Sequence, residues 1–187
     1  MTIVAGSIRE AVLTGEVLAS MGDRGSSELV EGRIVPMSPT GDLHGGCELA
    51  FGVYIRDHVR RHGLGKVRVG EVGIYTRRNP DSIRAADVLY ISNERYAARV
   101  SSGYLDVAPD LVVEILSPSD SWSVLMQKLR EYFGIGVRLV WVADPASQTV
   151  QAFRSPTDMR EYGPEDVLPG DDVLPGFRVD VAALFAE

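Results

Sequence analysis

The stretch PDLVVEILSPSDSWSVLMQKLREYFGIGVRLVWVA, residues 109–143, constrains this fold more than any other. Leu111 to Leu116 is apolar and β-branched apart from Glu114, a composition that suits a strand covered on both faces. Ser117-Pro118-Ser119-Asp120 ends that strand, because proline cannot donate to a ladder and Ser and Asp favour turns and helix caps. Asp120 to Phe133 then has helical periodicity, and Val137 to Ala143 reads as a second buried strand. Strand, helix and strand in this order predict a crossover joining two parallel strands.

Glu114 is the one charged residue inside the first strand. An unpaired carboxylate among Val112, Val113, Ile115 and Leu116 would be costly. It must be exposed at a strand end, paired with a cation, or bound to a metal.

The flanking sequence predicts a mixed α/β domain. A short helix is expected near Thr14 to Met21, capped by Thr14. Glu28 to Met37 reads as a hairpin about Glu31-Gly32. A long amphipathic helix is expected from Leu43 to Arg61, with Leu43, Cys47, Ala50, Phe51, Tyr54, Ile55 and Val59 as its apolar stripe. His44 and Glu48 lie one turn apart at the edge of that stripe. Val67 to Thr76 reads as a strand in which Gly70 and Gly73 signal a bulge or a close backbone approach. Asp87 to Ile91 reads as a short strand opening on a carboxylate, and Gln148 to Arg154 as the hairpin partner of Val137 to Ala143. Residues 155–187 form an acidic, turn-rich segment ending in a short helix near Val181 to Phe185, and residues 1–27 an N-terminal extension.

With 187 residues and 45% hydrophobic side chains, one domain with an ordinary core is expected. No apolar run approaches the roughly 20 residues that cross a bilayer, and no basic segment followed by an apolar core opens the chain. Membrane partners and a secretory signal are therefore not expected. The one cysteine, Cys47, excludes an intramolecular disulfide and a multi-cysteine zinc site, which makes the cytoplasm the expected compartment. The net charge of −7 is uneven: residues 155–187 carry eight acidic and two basic side chains, whereas residues 63–104 carry seven basic and four acidic. The middle of the chain can thus still face an anion. No stretch has the concentrated basic charge of a dedicated DNA-binding domain.

Asp87, Glu114 and Lys128 are the residues with chemistry to offer. Carboxylates on neighbouring strands supply hard oxygen ligands for Mg²⁺ or Mn²⁺. Such an ion activates water and neutralises charge developing on a phosphate, and a nearby lysine adds fixed positive charge. Trp122, Leu125, Leu129 and Tyr132 mark the expected buried stripe of the helix, with Lys128 at its border. From there the ammonium can reach back toward Glu114 or extend into solvent, and in either case its truncation is expected to cost within about 0.5 kcal/mol of stability, so that only activity tells the two apart. His44 reads as a cap or packing residue, Cys47 as core. His58 and His62 have metal-ligand spacing but no converging carboxylate.

The segments DVLYI at Asp87, PDLVVEILSPSD at Pro109, KLREYF at Lys128 and GVRLVWVADP at Gly136 resemble the Uma-two family, whose members are assigned to the restriction-endonuclease-like PD-(D/E)XK superfamily. The resemblance extends from Glu28 to Phe185. It implies a central mixed β-sheet flanked by helices, and Mg²⁺- or Mn²⁺-dependent cleavage of DNA by a homodimer. Residue by residue, it makes Asp87 and Glu114 the two motif carboxylates. Ala86 stands in place of the motif proline and Leu116 in place of the motif lysine, so Lys128 takes the lysine's role. Glu48 is similar to an additional helix carboxylate that assists the metal, although a solvated helix Glu fits its position as well. A non-catalytic binding or scaffold protein on the same fold is the alternative, in keeping with the acidic net charge.

Overall fold

The computed structural model describes residues 12–22, 25–118 and 120–186. The first eleven residues of the expected N-terminal extension, with Asp23 and Arg24, lie outside them, as does Ser119 of the expected turn. In chain order the elements are α1 (Gly15–Ser20), β1 (Ser27–Val30), β2 (Arg33–Pro36), α2 (Asp42–His62), β3 (Gly65–Arg77), β4 (Ser82–Ser92), α3 (Asn93–Ala97), β5 (Leu111–Ile115), α4 (Trp122–Gly134), β6 (Leu139–Asp144), β7 (Thr149–Ser155), β8 (Asp158–Tyr162), β9 (Val167–Pro169) and β10 (Arg178–Asp180). A 3-10 turn at Val181–Leu184 follows.

Eight strands form one mixed sheet in the order β2-β1-β4-β5-β6-β7-β8, with β3 also paired to β4. β5 and β6 are parallel and joined across α4, as the sequence predicts. The sheet is covered on both faces, which is why β4, β5 and β6 are almost wholly buried. On one face Phe51, Ile55 and Val59 of α2 pack against Val88, Val113, Leu139 and Trp141. On the other, Leu125, Leu129 and Tyr132 of α4 pack against Leu89, Val112, Val140 and Val142. Each such large side chain contributes about 1.5–3 kcal/mol when fully buried.

The helices begin and end where local chemistry allows. Ser121 caps α4 by accepting from Val124 N–H, so the helix starts after the expected Asp120, which instead accepts from Ser117 N–H. Gly63 ends α2 in the left-handed conformation at φ 62°. Gly52 lets α2 lie close on β3, since a Cβ there would stand 2.7 Å from Val69 Cγ1.

Four expectations are corrected. The segment 155–187, expected to be turns and a short helix, supplies β8 at the edge of the main sheet and the paired β9 and β10. Trp122 is 59% exposed and stands outside the buried stripe of α4. Leu43 and Tyr54 are exposed on α2, whose buried row is His44, Cys47, Phe51, Ile55 and Val59. Asp87 lies in the middle of an eleven-residue strand, not at the start of a short one.

Candidate active site

β4 is where the site forms. One of its edges is occupied by β3. The other is shared: β1 pairs with it at Ile83, and β5 pairs with it only from Val88 to Tyr90. Between these contacts the edge forks. Side chains satisfy the backbone there, with Ala85 N–H donating to Glu28 and Lys128 Nζ lying 3.4 Å from Ala85 O.

β3 carries a bulge opposite this fork. Val69 pairs with Val88 and Val72 with Ala86, so Gly70 and Glu71 together face the single residue Asp87. Gly70 has φ +90° and Glu71 φ +56°. The bulge disturbs the alternation of β4: Ala86 joins the core beneath α4, whereas Val88 joins the core beneath α2. Asp87 sits where the strand changes face, and re-aiming a side chain is a common consequence of a bulge. The glycine signal in the sequence thus marked the right place. Gly73, the other glycine it singled out, admits Tyr104 closely, since a Cβ there would meet Tyr104 at 2.3 Å.

Asp87 is held from the α2 side and Glu114 from the α4 side. Asp87 Oδ2 accepts from Ile115 N–H at 2.7 Å and lies 3.5 Å from His44 Nε2. Glu114 shares the face of Val112 by strand alternation, which aims it at α4. Tyr132 O–H donates to Glu114 Oε1 at 2.6 Å, and Lys128 Nζ donates to Oε2 at 2.8 Å. Of the three possibilities left open for Glu114, cation pairing is realised. Lys128 also turns inward, and Glu28 Oε1 lies 3.1 Å from the same ammonium. That burial removes the reason to expect Lys128→Ala to be neutral.

The network continues through Arg84, buried at 3% exposure on β4. Its guanidinium donates to Glu28 at 2.8 Å and grips both oxygens of Glu131 at 2.7 and 2.6 Å. Glu131 also accepts from Thr76 and Gln127. Glu48 is half-buried and accepts from Gly70 N–H at 2.6 Å, so the bulge positions this carboxylate too.

The electrostatics are lopsided. Burial pushes the Glu114 carboxyl up to about 7, with Asp87 adding to the rise and Lys128 opposing it. Burial and Asp87 also raise Glu48, against the Gly70 N–H. Burial works against the Lys128 charge, but Glu114 and Glu28 outweigh it and hold the ammonium protonated. The hydrogen bond to Asp87 raises His44. Five carboxylates, Glu28, Glu48, Asp87, Glu114 and Glu131, face two permanent cations, Arg84 and Lys128.

Among the described residues no three His, Cys, Asp or Glu side chains are already gathered as a metal cage. The donors nonetheless suit a hard divalent ion: Asp87, Glu114 and Glu48 are carboxylates in a region short of positive charge. Mg²⁺ is commonly held by one or two carboxylates, with water and phosphate completing its shell.

Glu114 and Lys128 are therefore joined in one network with Glu28 and Arg84, while Asp87, held separately by Ile115 N–H and His44, acts on Glu114 and Glu48 through its charge. Sequence reasoning missed Glu28, Arg84, Glu131 and Tyr132. The signal for Arg84 was the same as for Glu114, a charge inside an apolar strand between Ile83 and Ala85. His44, read as a cap or packing residue, is 7% exposed, lies 3.5 Å from Asp87 and leaves its buried Nδ1 without a hydrogen-bond partner among the described residues. His58 is explained without a metal, being bonded to Pro175 O, tilted against His62 and packed edge-on against Phe177. Cys47 is core, as expected.

No curated protein matches the chain. Among solved structures it is similar to a crystal structure at 1.96 Å of "a putative nuclease belonging to DUF820" from Anabaena variabilis ATCC 29413, with a TM-score of 0.73 and 21% identity. That likeness covers 87% of this chain and 91% of the other, and at this identity it shows a shared fold. The family model described as "Putative restriction endonuclease" matches residues 16–182, so nearly the whole chain is spanned and this protein belongs to the Uma2 family.

Proposed function

We propose that this protein is a divalent-metal-dependent endonuclease that hydrolyses phosphodiester bonds in DNA. One observation carries the reading: two carboxylates and a lysine distant in sequence, Asp87, Glu114 and Lys128, meet at the forked edge of β4. Asp87 and Glu114 would hold Mg²⁺ or Mn²⁺, with Glu48 assisting. When bound, the ion would lower the pKa of a water and offset charge on the phosphate.

Lys128 is too strongly held in its charged form to act as a base. Its role is to donate hydrogen bonds and supply positive charge. An ammonium has three donors, and here Glu114, Glu28 and Ala85 O occupy them at 2.8, 3.1 and 3.4 Å. The longest contact, to Ala85 O, is the one that can turn to a water or a phosphate oxygen. Tyr132 and Lys128 fix the rotamer of Glu114, and Ile115 N–H fixes Asp87, so both carboxylates are oriented before substrate arrives. In the reaction, water oxygen bonds to phosphorus and one P–O ester bond breaks, leaving a phosphate and a hydroxyl end. Cleavage of both strands calls for two such sites, which a symmetric homodimer supplies. The lone thiol, Cys47, suits a cytoplasmic setting.

A non-catalytic scaffold is favoured by one feature: both Glu114 oxygens already accept internal hydrogen bonds, as in a purely structural ion pair. Incubation of supercoiled plasmid with Mg²⁺ or Mn²⁺ separates the two readings. Wild type should nick or linearise it, EDTA should stop the reaction, and Asp87→Ala should be inactive. Calorimetry should show Mn²⁺ binding weakened at least about tenfold by Asp87→Ala, or 1.4 kcal/mol. Intact plasmid together with equal Mn²⁺ binding by both proteins would leave the scaffold reading.

A further inference from the structure

A groove between α2 and β3 reaches the border of the site at Glu48. Its inner part, about 490 Å³, is lined by Gly45, Glu48, Leu49, Val53, Arg56 and Val69, among others. Its outer part, about 390 Å³, is lined by Arg56, Arg60, Lys66, Arg68 and Asn93, among others. Arg56, Val67 and Arg68 border both, so the two parts adjoin along the same face of α2 and β3. The groove ends beside Glu48, whose carboxylate is held by the Gly70 bulge and interacts with Asp87. From Glu48 to Arg60 is twelve residues of helix, about 18 Å, the axial length of roughly five base pairs.

Charge in the groove is one-sided. Arg56, Arg60, Lys66 and Arg68 are all exposed, and among the described residues Glu48 at the inner end is the one acidic side chain lining it. Arg68 packs on the Tyr96 ring and donates to Tyr96 Oη. The side chains of Arg56, Arg60 and Lys66 have no ion-pair or hydrogen-bond partner among the described residues. Three unpaired cations along a groove, in a chain of net charge −7, make a local site for a polyanion.

We infer that this groove is the track for a DNA phosphate backbone, which Arg56, Arg60, Lys66 and Arg68 guide toward Asp87 and Glu114. It rests on the nuclease reading for the identity of its ligand. Contacts of this kind set register and supply affinity that depends on salt, without reading sequence. The exposed Leu49, Val53 and Val69 at the inner end would lie against sugars and base faces.

The test is fluorescence anisotropy in EDTA, with labelled duplex and single-stranded DNA titrated from 50 to 300 mM salt. The variant is Arg56→Gln/Arg60→Gln/Lys66→Gln, which spares Arg68 because it packs on Tyr96. An unchanged thermal melt confirms that the variant is folded. Wild type should bind, and the variant should bind about tenfold or more weakly at low salt. Its slope of log affinity against log salt should be shallower by about 3 on duplex, or about 2 on single strands. Arg130→Gln, which removes an exposed cation outside the groove, should bind as wild type does. Equal affinities and slopes for wild type and variant would overturn the inference, even if the plasmid is cleaved. Variant-sensitive binding without any cleavage would uphold the groove and sink the nuclease reading instead. Self-association abolished by the variant, with no DNA binding, would assign the groove to the acidic C-terminal segment of a second copy and overturn it.

Discussion

Replacing Glu114 by glutamine should flatten the pH dependence of stability. In the folded protein the Glu114 carboxyl titrates at about 7, against an ordinary value of 4.5. Between these values the folded chain holds a proton that the unfolded chain has released. This contribution is therefore fully present below about 4.5 and is lost as pH rises through 7. The gap of two and a half pH units corresponds to about 3 kcal/mol, of which about 2.5 kcal/mol falls between pH 5 and pH 8. A glutamine amide cannot titrate, so the wild type should lose that much more than Glu114→Gln across the window. For a chain of this length the difference amounts to about 5–10 °C in Tm. Urea unfolding at pH 5, 6, 7 and 8 with EDTA present is the assay. His44 and Glu48 are also raised and act in the same sense, so the readout is the difference between the two proteins. Parallel curves, or a wild type that gains on the variant as pH rises, would refute the electrostatic account of the site.

Lys128→Ala should abolish cleavage and destabilise the fold by about 3–5 kcal/mol, because Glu114 and Glu28 lose a buried cation. Exposed Arg130→Ala should stay within about 0.5 kcal/mol and remain active; equal loss of activity in both would point to general charge rather than a placed lysine. Gly70→Ala forces a side chain into φ +90° and should cost about 1–3 kcal/mol while weakening Mn²⁺ binding through Glu48, as melting and calorimetry can show. Sedimentation at micromolar concentration should find a dimer; a species of 20.4 kDa would instead favour nicking or single-strand activity.

The strand–turn–helix–strand run at residues 109–143 reappears in the structure as β5, α4 and β6 with parallel pairing, because hydrophobic period and turn chemistry are local properties that survive folding. The same run exposed Glu114 as an anomaly, and a charge in an apolar strand demands a partner whatever the fold. Which partner it takes was not a local property. Lys128 at the border of its helix was equally free to reach solvent; only packing α4 onto β5 set it between Glu114 and Glu28. Trp122 followed the helical period and still lies exposed, since periodicity names a face but not how far the neighbouring sheet extends beneath it. His44 looked like an ordinary residue near a helix start, and became part of the site because α2 crosses the sheet beside the bulge that faces Asp87. The sequence by itself determined most of the elements, though not α3, β8, β9 or β10, and the chemistry on offer. The fork in β4, where β1 and β5 share one edge, joins strands far apart in sequence, Leu29 with Ile83 and Val88 with Val113, so only the tertiary structure could bring Glu28, Arg84, Asp87, Glu114 and Lys128 together.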